Sequence, residues 1–409
     1  MLGVLLLVYI VNFVDRIILG ILAPAIKSDL GLSDTQLGML GGLAFALLYT
    51  SVGIPLGWVA DRVNRVRIMT AALALWSLFT ACCGLTHGFW QLFLMRVGVG
   101  VGEAGGIAPA HSMISDYFIP SQRARAFGVY AFGIPLGSAG GLLFGGLIAA
   151  SIDWRTAFLC VGVFGLVLAP LLATVRDPER GRYDGAPAKV RKASLAAVIA
   201  HLLTCRSFWL LAVAAGTSSI MSNALFYWIP SFLKRSYGLT LIEVSLYFGL
   251  VTLIGGTLGG WLGSSLADRF GAKNRKAYAV VPALSLLLCV PFLLAGILNR
   301  AAFGSLVCFV LPISIGLSWI GPTTAAVQHL VPVEMRAATA AAFLFMNSMI
   351  GLAIGSPLIG ALSDHLSSRV GAESLRYALL AALGFQVLGA GLFGLAGRTL
   401  EADWHDARS

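Results

Sequence analysis

The feature that most constrains this chain is a series of long apolar stretches that recurs from its first residues almost to its last. A helix needs about 20 mostly apolar residues to cross the hydrocarbon core of a bilayer. Such helices are predicted over residues 2–26, 36–60, 66–86, 90–117, 122–150, 155–174, 207–233, 241–267, 276–297, 302–328, 335–363 and 373–397. Since 58% of the residues are hydrophobic and only 11% are charged, no soluble fold could bury this surface. The pattern predicts an all-α membrane protein with twelve transmembrane helices.

A polar, basic segment separates the first six predicted spans from the last six. The two sets resemble each other, because the second span ends in Asp61-Arg62 and the eighth ends in Asp268-Arg269, about half the chain later. Duplicated six-helix units related by an axis along the membrane normal are typical of transporters. The predicted domains are an N-terminal six-helix bundle (1–174), a cytoplasmic linker (175–206), a pseudo-symmetric C-terminal six-helix bundle (207–397) and a cytoplasmic tail (398–409).

The basic residues are distributed unevenly between the two sides of the predicted membrane protein. With both termini in the cytoplasm, the cytoplasmic loops, linker and tail hold most of the 28 lysine and arginine residues. Cytoplasmic loops of membrane proteins carry such an excess. Topology therefore explains the net charge of +10, and we predict no nucleic-acid partner. The short loops are typical of a bacterial cytoplasmic membrane protein, which we expect to be a monomer surrounded by membrane lipids.

The loop after the second span reads Gly57-x-x-x-Asp61-Arg62-x-x-Arg65. Together with the second-half copy, this loop resembles the signature of the major facilitator superfamily of transporters. Glycine allows helices to approach closely, and an aspartate at a helix end can accept from backbone N–H groups and arginines. The resemblance implies alternating access, with a cytoplasmic gate formed by Gly57, Asp61, Arg62, Arg65, Asp268 and Arg269.

A narrower resemblance lies mainly in the N-terminal half. The matching segments are Asn12-x-x-Asp15-Arg16, Arg96-Val-Gly-Val-Gly100-Val-Gly102-Glu103-Ala104, Ala108-Pro109, Asp116, Arg123-x-Arg125, Ile134-Pro135-Leu-Gly137-Ser138 and Arg176-Asp-Pro-Glu-Arg180-Gly181. They resemble the spinster family within that superfamily. Since spinster proteins move lysophospholipids and sphingoid phosphates, the resemblance implies a lipid-like substrate.

Four ionisable residues lie well inside the predicted spans: Asp15, Arg16, Arg96 and Glu103. A charge at the bilayer centre costs about 2.5–3.5 kcal/mol on insertion scales, and such residues are generally functional. We hypothesise an exchangeable network in which Asp15, and secondarily Glu103, carries the coupling proton. Arg16 and Arg96, with Asn12 beside them, would alternate between these carboxylates and an anionic headgroup. The alternative is a fixed structural cluster of salt bridges.

Polar and aromatic residues within other spans are candidates for lining the substrate cavity. They are Tyr130, Asn223, Tyr227, Trp228, Trp319 and Asn347. Each has an alternative interpretation as a packing residue or an interhelical hydrogen-bonding residue. The C-terminal half carries no clear charge within its spans, so a cavity between the halves would be charged on one side and apolar on the other. Such a cavity suits an amphiphile with an anionic head.

These features together predict a proton-coupled secondary active transporter of an amphiphilic anionic lipid. A small organic anion or a drug is the alternative cargo, and a lipid scramblase or channel would give flux indifferent to a proton gradient. A membrane enzyme would need a nucleophile–base set or a metal cluster, and the six histidines and six cysteines show no such spacing. We therefore predict no enzyme activity and no cofactor or metal, with protons as the coupling ion.

Overall fold

A computed structural model describes residues 1–60, 62–183, 194–271, 275–316 and 318–405. These residues form α-helices joined by short turns. The helices are α1 (Leu2–Leu30), α2 (Asp34–Gly41), α3 (Leu43–Ala60), α4 (Arg65–Cys83), α5 (Phe89–Glu103), α6 (Ile107–Tyr117), α7 (Pro120–Ala131), α8 (Gly133–Ser151), α9 (Trp154–Ala173), α10 (Leu195–Thr204), α11 (Arg206–Tyr237), α12 (Leu241–Gly271), α13 (Ala277–Leu298), α14 (Ala302–Ile315), α15 (Ile320–His329), α16 (Arg336–Ser348), α17 (Gly355–Val370) and α18 (Ser374–Thr399).

Seventeen of the eighteen described helices make up twelve membrane spans, which confirms the fold class predicted from the sequence. Paired helices α2–α3, α5–α6, α7–α8, α14–α15 and α16–α17 each form one span. Ten described stretches are long and apolar enough to cross a membrane. The last of them, Ala338–Thr399, contains two spans. The break in span α5–α6 leaves helices of 15 and 11 residues, each shorter than the 18 residues required. The short helix α10 lies in the predicted linker, of which residues 184–193 are outside the described part.

Helix breaks occur where the backbone ladder cannot continue. Span five is divided at Phe132, because Pro135 has no N–H to donate to the carbonyl of Ala131 four residues earlier. Span four is divided at Ala104–Gly106, where two adjacent glycines have a low helix propensity. Span eleven instead contains a π-helical turn, Met349–Ile354, between α16 and α17. Such turns insert one residue and are frequent at functional sites.

The molecule has two membrane faces, which differ in how the halves meet. The linker face holds the start of α1, residues 175–183 and the tail; the opposite face holds the turns at 31–33, 152–153, 238–240 and 371–373. Near the opposite face, one continuous hydrophobic core includes Leu22 and Phe158 from the first half and Trp228 and Phe232 from the second. Near the linker face, the buried apolar residues form two separate cores, one in each half. Among the described residues, the halves therefore share one core near the opposite face and have separate cores near the linker face.

Small residues let the halves approach closely along two seams. In the seam between α8 and α12, a Cβ on Gly146 would overlap the Ser245 side chain. In the seam between α2 and α17, a Cβ on Gly38 would overlap the carbonyl oxygen of Ser356. Helix association in lipid depends on this kind of close packing, because the solvent supplies little hydrophobic driving force.

Candidate functional site

The four charged residues singled out from the sequence lie together between α1 and α5. Arg96 Nη1 donates to Asp15 Oδ1 at 3.1 Å. Arg16 Nε donates to Glu103 Oε2 at 2.6 Å. Adjacent helical positions point about 100° apart, which explains why neighbouring Asp15 and Arg16 choose different partners. The side chains of Asp15, Arg96 and Glu103 are almost fully buried, whereas that of Arg16 is 23% exposed.

A third helix contributes a residue that sequence reasoning missed. The Thr80 hydroxyl of α4 donates to Asp15 Oδ2, and Thr80 itself is fully buried. Its only sequence signal is a hydroxyl inside an apolar span, which is common in membrane helices, where threonine often bonds its own backbone. The two oxygens of Asp15 are thus divided between an arginine and a threonine.

Arg16 is held in an aromatic cage as well as by Glu103. Its guanidinium carbon lies 4.7 Å from the ring centroid of Tyr49, 4.9 Å from that of Phe45 and 5.5 Å from that of Phe13. Aromatic faces attract cations most strongly where water is displaced. The cage therefore stabilises the positive charge of Arg16 even when Glu103 is not its partner.

The pairing leaves hydrogen-bonding capacity unused. Within the described residues, Arg16 Nη2, Arg96 Nε, Glu103 Oε1 and Asn12 Oδ1 are buried without a hydrogen-bond partner. A buried polar atom without a partner costs about 1–3 kcal/mol. Unused donors on both arginines, next to unused acceptors, fit a site that exchanges partners or binds an additional polar group.

A cavity of about 290 Å³ adjoins these arginines at the interface between the halves. Its lining includes Arg16 and Arg96 from the first half, with Ser222, Asn223 and Tyr227 from the second. The other lining residues are Phe13, Ile17, Gly41, Phe45, Ile134, Ser138, Phe226, Ile320 and Leu352. The cavity wall is therefore cationic on one side and neutral or apolar elsewhere.

The other cavity candidates lie in different surroundings. Trp228 and Trp319 are buried in hydrophobic cores, and neither lines the cavity. Tyr130 is also buried and stacks on Tyr9 with ring centroids 4.3 Å apart. Asn347 accepts a 2.7 Å hydrogen bond from the Ser219 hydroxyl, next to the π-helical turn. Of the six candidates, the structure brings only Asn223 and Tyr227 to the cavity wall.

The predicted cytoplasmic gate is only partly described. Asp61 and the side chains of Asp268 and Arg269 lie outside the described part. Gly57 lies near the C-terminal end of α3, and Arg62 is exposed at the linker face. Arg65 is the best-defined member of this set.

Arg65 is buried and binds residues of its own half and of the linker. Its Nε donates to Asp177 Oδ1 at 2.8 Å, and its Nη1 donates to Asp116. Its Nη2 donates to the Pro178 carbonyl at 2.6 Å. Asp116 also accepts from the backbone N–H of Gly181 at 3.0 Å. The start of the linker is thereby bound to the N-terminal bundle.

Comparison with known proteins decides the family. The sequence profile of the Major Facilitator Superfamily matches residues 5–356. This chain belongs to the major facilitator superfamily. It is 38% identical over 405 residues to a protein of Mycolicibacterium smegmatis described as an MFS-type efflux pump, covering 98% of this chain and 93% of that protein. It is 32% identical over 389 residues to human protein spinster homolog 1, covering 89% of this chain and 72% of that protein.

Solved structures place this facilitator-superfamily protein beside the spinster family as well. It superposes with a TM-score of 0.87 and 28% identity on a bacterial homolog of the human lysosomal transporter spinster, which is inward-facing and unoccupied. That match covers 99% of this chain and 98% of the other. A D-xylose-proton symporter superposes with a TM-score of 0.72 at 14% identity, which shows the shared fold alone.

The family and the fold fix the general activity. The chain is a multi-pass integral membrane protein that transports a small molecule, and it is not an enzyme. The predicted relation to the spinster family is confirmed.

Proposed function

We propose that this protein is a proton-coupled secondary active transporter of an amphiphilic lipid with an anionic head, such as a lysophospholipid or a sphingoid phosphate. It works by alternating access in a bacterial cytoplasmic membrane, with the linker face in the cytoplasm. Two arginines at the wall of an otherwise mostly apolar cavity carry the proposal, because each has an N–H group without a hydrogen-bond partner among the described residues.

The headgroup would bind at Arg16 and Arg96. A guanidinium presents several N–H donors in one plane and binds phosphate oxygens bidentately. Arg16 is the more available of the two, because its side chain is partly exposed while that of Arg96 is 2% exposed. The apolar chain of the lipid would follow the neutral wall formed by residues such as Phe226 and Leu352.

Proton coupling follows from competition for the same arginine. An anionic headgroup that binds Arg16 weakens its ion pair with Glu103, which is fully buried and would then hold an unpaired charge. A buried carboxylate without a cation takes up a proton, because burial disfavours the charged form. Asp15 and Arg96 form a second buried ion pair, in which a headgroup that binds Arg96 would likewise favour protonation of Asp15. Cargo binding and proton binding are linked in this way.

Headgroup recognition is tested by binding measurements on the purified protein. We expect Arg16→Lys to bind lysophosphatidate at least about tenfold more weakly, since lost charge-assisted hydrogen bonds are worth about 1.5–3 kcal/mol. Binding of monoacylglycerol, which has no phosphate, should be weak and unchanged. Arg155→Lys is the matched control, because Arg155 pairs with Asp29 at the opposite face, away from the cavity. Equal affinity of the wild type for both lipids would contradict a headgroup site.

A small organic anion or drug is the second candidate cargo. The volume of about 290 Å³ lies at the lower end for small-molecule pockets, and the relative from Mycolicibacterium smegmatis is described as an efflux pump. Competition separates the two cargoes. If aromatic carboxylates or drugs displace labelled lysophosphatidate and are themselves transported faster, the lipid assignment is wrong and the transporter assignment stands.

A further inference from the structure

At the opposite face, Asp34 joins the two halves of the protein. It lies in the first turn of α2, is 2% exposed, and accepts from both Nη atoms of Arg235 at 2.6 Å. Arg235 belongs to the last turn of α11 in the other half. Lys27 Nζ donates to the same carboxylate at 2.5 Å from the first half, and the Ser363 hydroxyl of α17 donates at 2.7 Å.

A second carboxylate, on the C-terminal half, accepts hydrogen bonds from the N-terminal half across the same interface. Asp364 of α17 accepts from the backbone N–H groups of Asp34 and Thr35 at 2.9 and 2.8 Å, and from the Thr35 hydroxyl at 2.6 Å. These N–H groups begin α2 and have no partner within the helix. An anion at this position also interacts favourably with the helix dipole. The C-terminal half thus caps a helix of the N-terminal half.

The backbones in this region are in direct contact. A Cβ on Gly38 would overlap Ser356, and a Cβ on Gly360 would overlap the backbone of Asp34. A Cβ on Gly42 would overlap the carbonyl oxygen of Leu352 in the π-helical turn. The Asp34–Arg235 ion pair and the hydrogen bonds to Asp364 therefore lie beside a closely packed seam. These bonds and the seam must separate if the cavity is to open at this face.

Tyr227 connects this seam to the cavity. Its side chain lines the cavity, and its hydroxyl donates to the carbonyl of Leu37 in α2. A Cβ on Gly41 would overlap the Tyr227 ring. A molecule in the cavity therefore contacts a residue that is bonded directly to the helix held by Asp34 and Asp364.

We propose that Asp34 and Asp364 are positioning residues of a gate that closes the cavity at the opposite face, and that Tyr227 is the inner layer of that gate. This gate is separate from the signature loop, because Arg65 binds only its own half and the start of the linker among the described residues. The proposal goes beyond the cargo assignment and holds for a lipid or a drug alike.

Distance measurements between the halves test the gate. Nitroxide labels at Ser28→Cys and Ser368→Cys, both exposed near this face on different halves, would be measured by double electron–electron resonance. The background is a variant without the six native cysteines that retains transport. We expect one short-distance population in the parent, and a second, longer-distance population in Asp34→Asn and in Asp364→Asn. Tyr227→Phe, which loses only the hydroxyl, should show a smaller shift in the same direction.

Asp29→Asn provides the matched control at the same face. Asp29 pairs with Arg155 at 2.6 Å within the N-terminal half, so its loss should leave the distance distribution unchanged. Asp364→Asn keeps the Lys27, Arg235 and Ser363 partners of the Asp34 carboxylate and so reports on the gate even if Asp34→Asn fails to fold. Distributions identical to the parent in all folded gate variants would overturn the proposal. An equal shift in Asp29→Asn would overturn it as well, because the effect would then be a general loosening of this face.

Discussion

At the residue scale, the chemistry rests on how two acids and two arginines are paired. The sequence shows that Asp15, Arg16, Arg96 and Glu103 lie inside apolar spans, and their cost there already marks them as functional candidates. The sequence cannot show which acid binds which arginine, since this depends on how α1 rotates against α5. The bond from Thr80 to Asp15 could not be predicted either, because hydroxyls in membrane helices are common and mostly bond locally.

The paired arrangement predicts how neutral variants behave. Asp15→Asn and Glu103→Gln preserve side-chain shape and remove the group that takes up the proton. We expect transport by either variant to lose most of its dependence on pH, measured as the initial rate across a pH series in proteoliposomes. Asp29→Asn, which neutralises an exposed acid far from the cavity, should keep the parent profile. Full pH dependence in both Asp15→Asn and Glu103→Gln would leave a structural salt-bridge cluster as the better interpretation.

At the element scale, the spans could be predicted and the contacts between them could not. Apolar runs locate the spans to within a few residues, because each must match the thickness of the bilayer. The close seams depend on residues that look ordinary in the sequence. Gly38 is one of 48 glycines, and only the packing of α2 on α17 shows that it has no room for a side chain.

The α2–α17 seam predicts a clear difference between two glycine substitutions. Gly38→Ala forces a methyl group into the backbone of Ser356, whereas a Cβ on Gly128 of α7 has no neighbour within 4 Å. Overpacking of this kind costs about 1–3 kcal/mol. We expect Gly38→Ala to lower the thermal unfolding midpoint in detergent and Gly128→Ala to leave it unchanged or slightly raised. Equal midpoints for the two variants would show that the seam is looser than the structure indicates.

At the scale of the whole molecule, duplication and charge distribution predict two bundles, while the conformation emerges only from the structure. The bonds that close the opposite face join residues far apart in the chain: Asp34 and Arg235 are separated by 201 positions, and Asp34 and Asp364 by 330. No local sequence pattern predicts these bonds, because an aspartate near the start of a helix usually acts as a helix cap. Among the described residues, one core is shared by the halves near the opposite face and two separate cores lie near the linker face, so the molecule is closed at the opposite face.

Gradient-driven flux is the most direct test of the central claim that this protein couples protons to lipid transport. Uptake of labelled lysophosphatidate would be measured in proteoliposomes with and without an imposed pH gradient, with Glu103→Gln and empty liposomes alongside. Proton coupling through Glu103 predicts flux that rises with the gradient in the parent and is independent of the gradient in Glu103→Gln. Lipid flux of the same size with and without the gradient in the parent would contradict proton coupling and indicate a scramblase or channel.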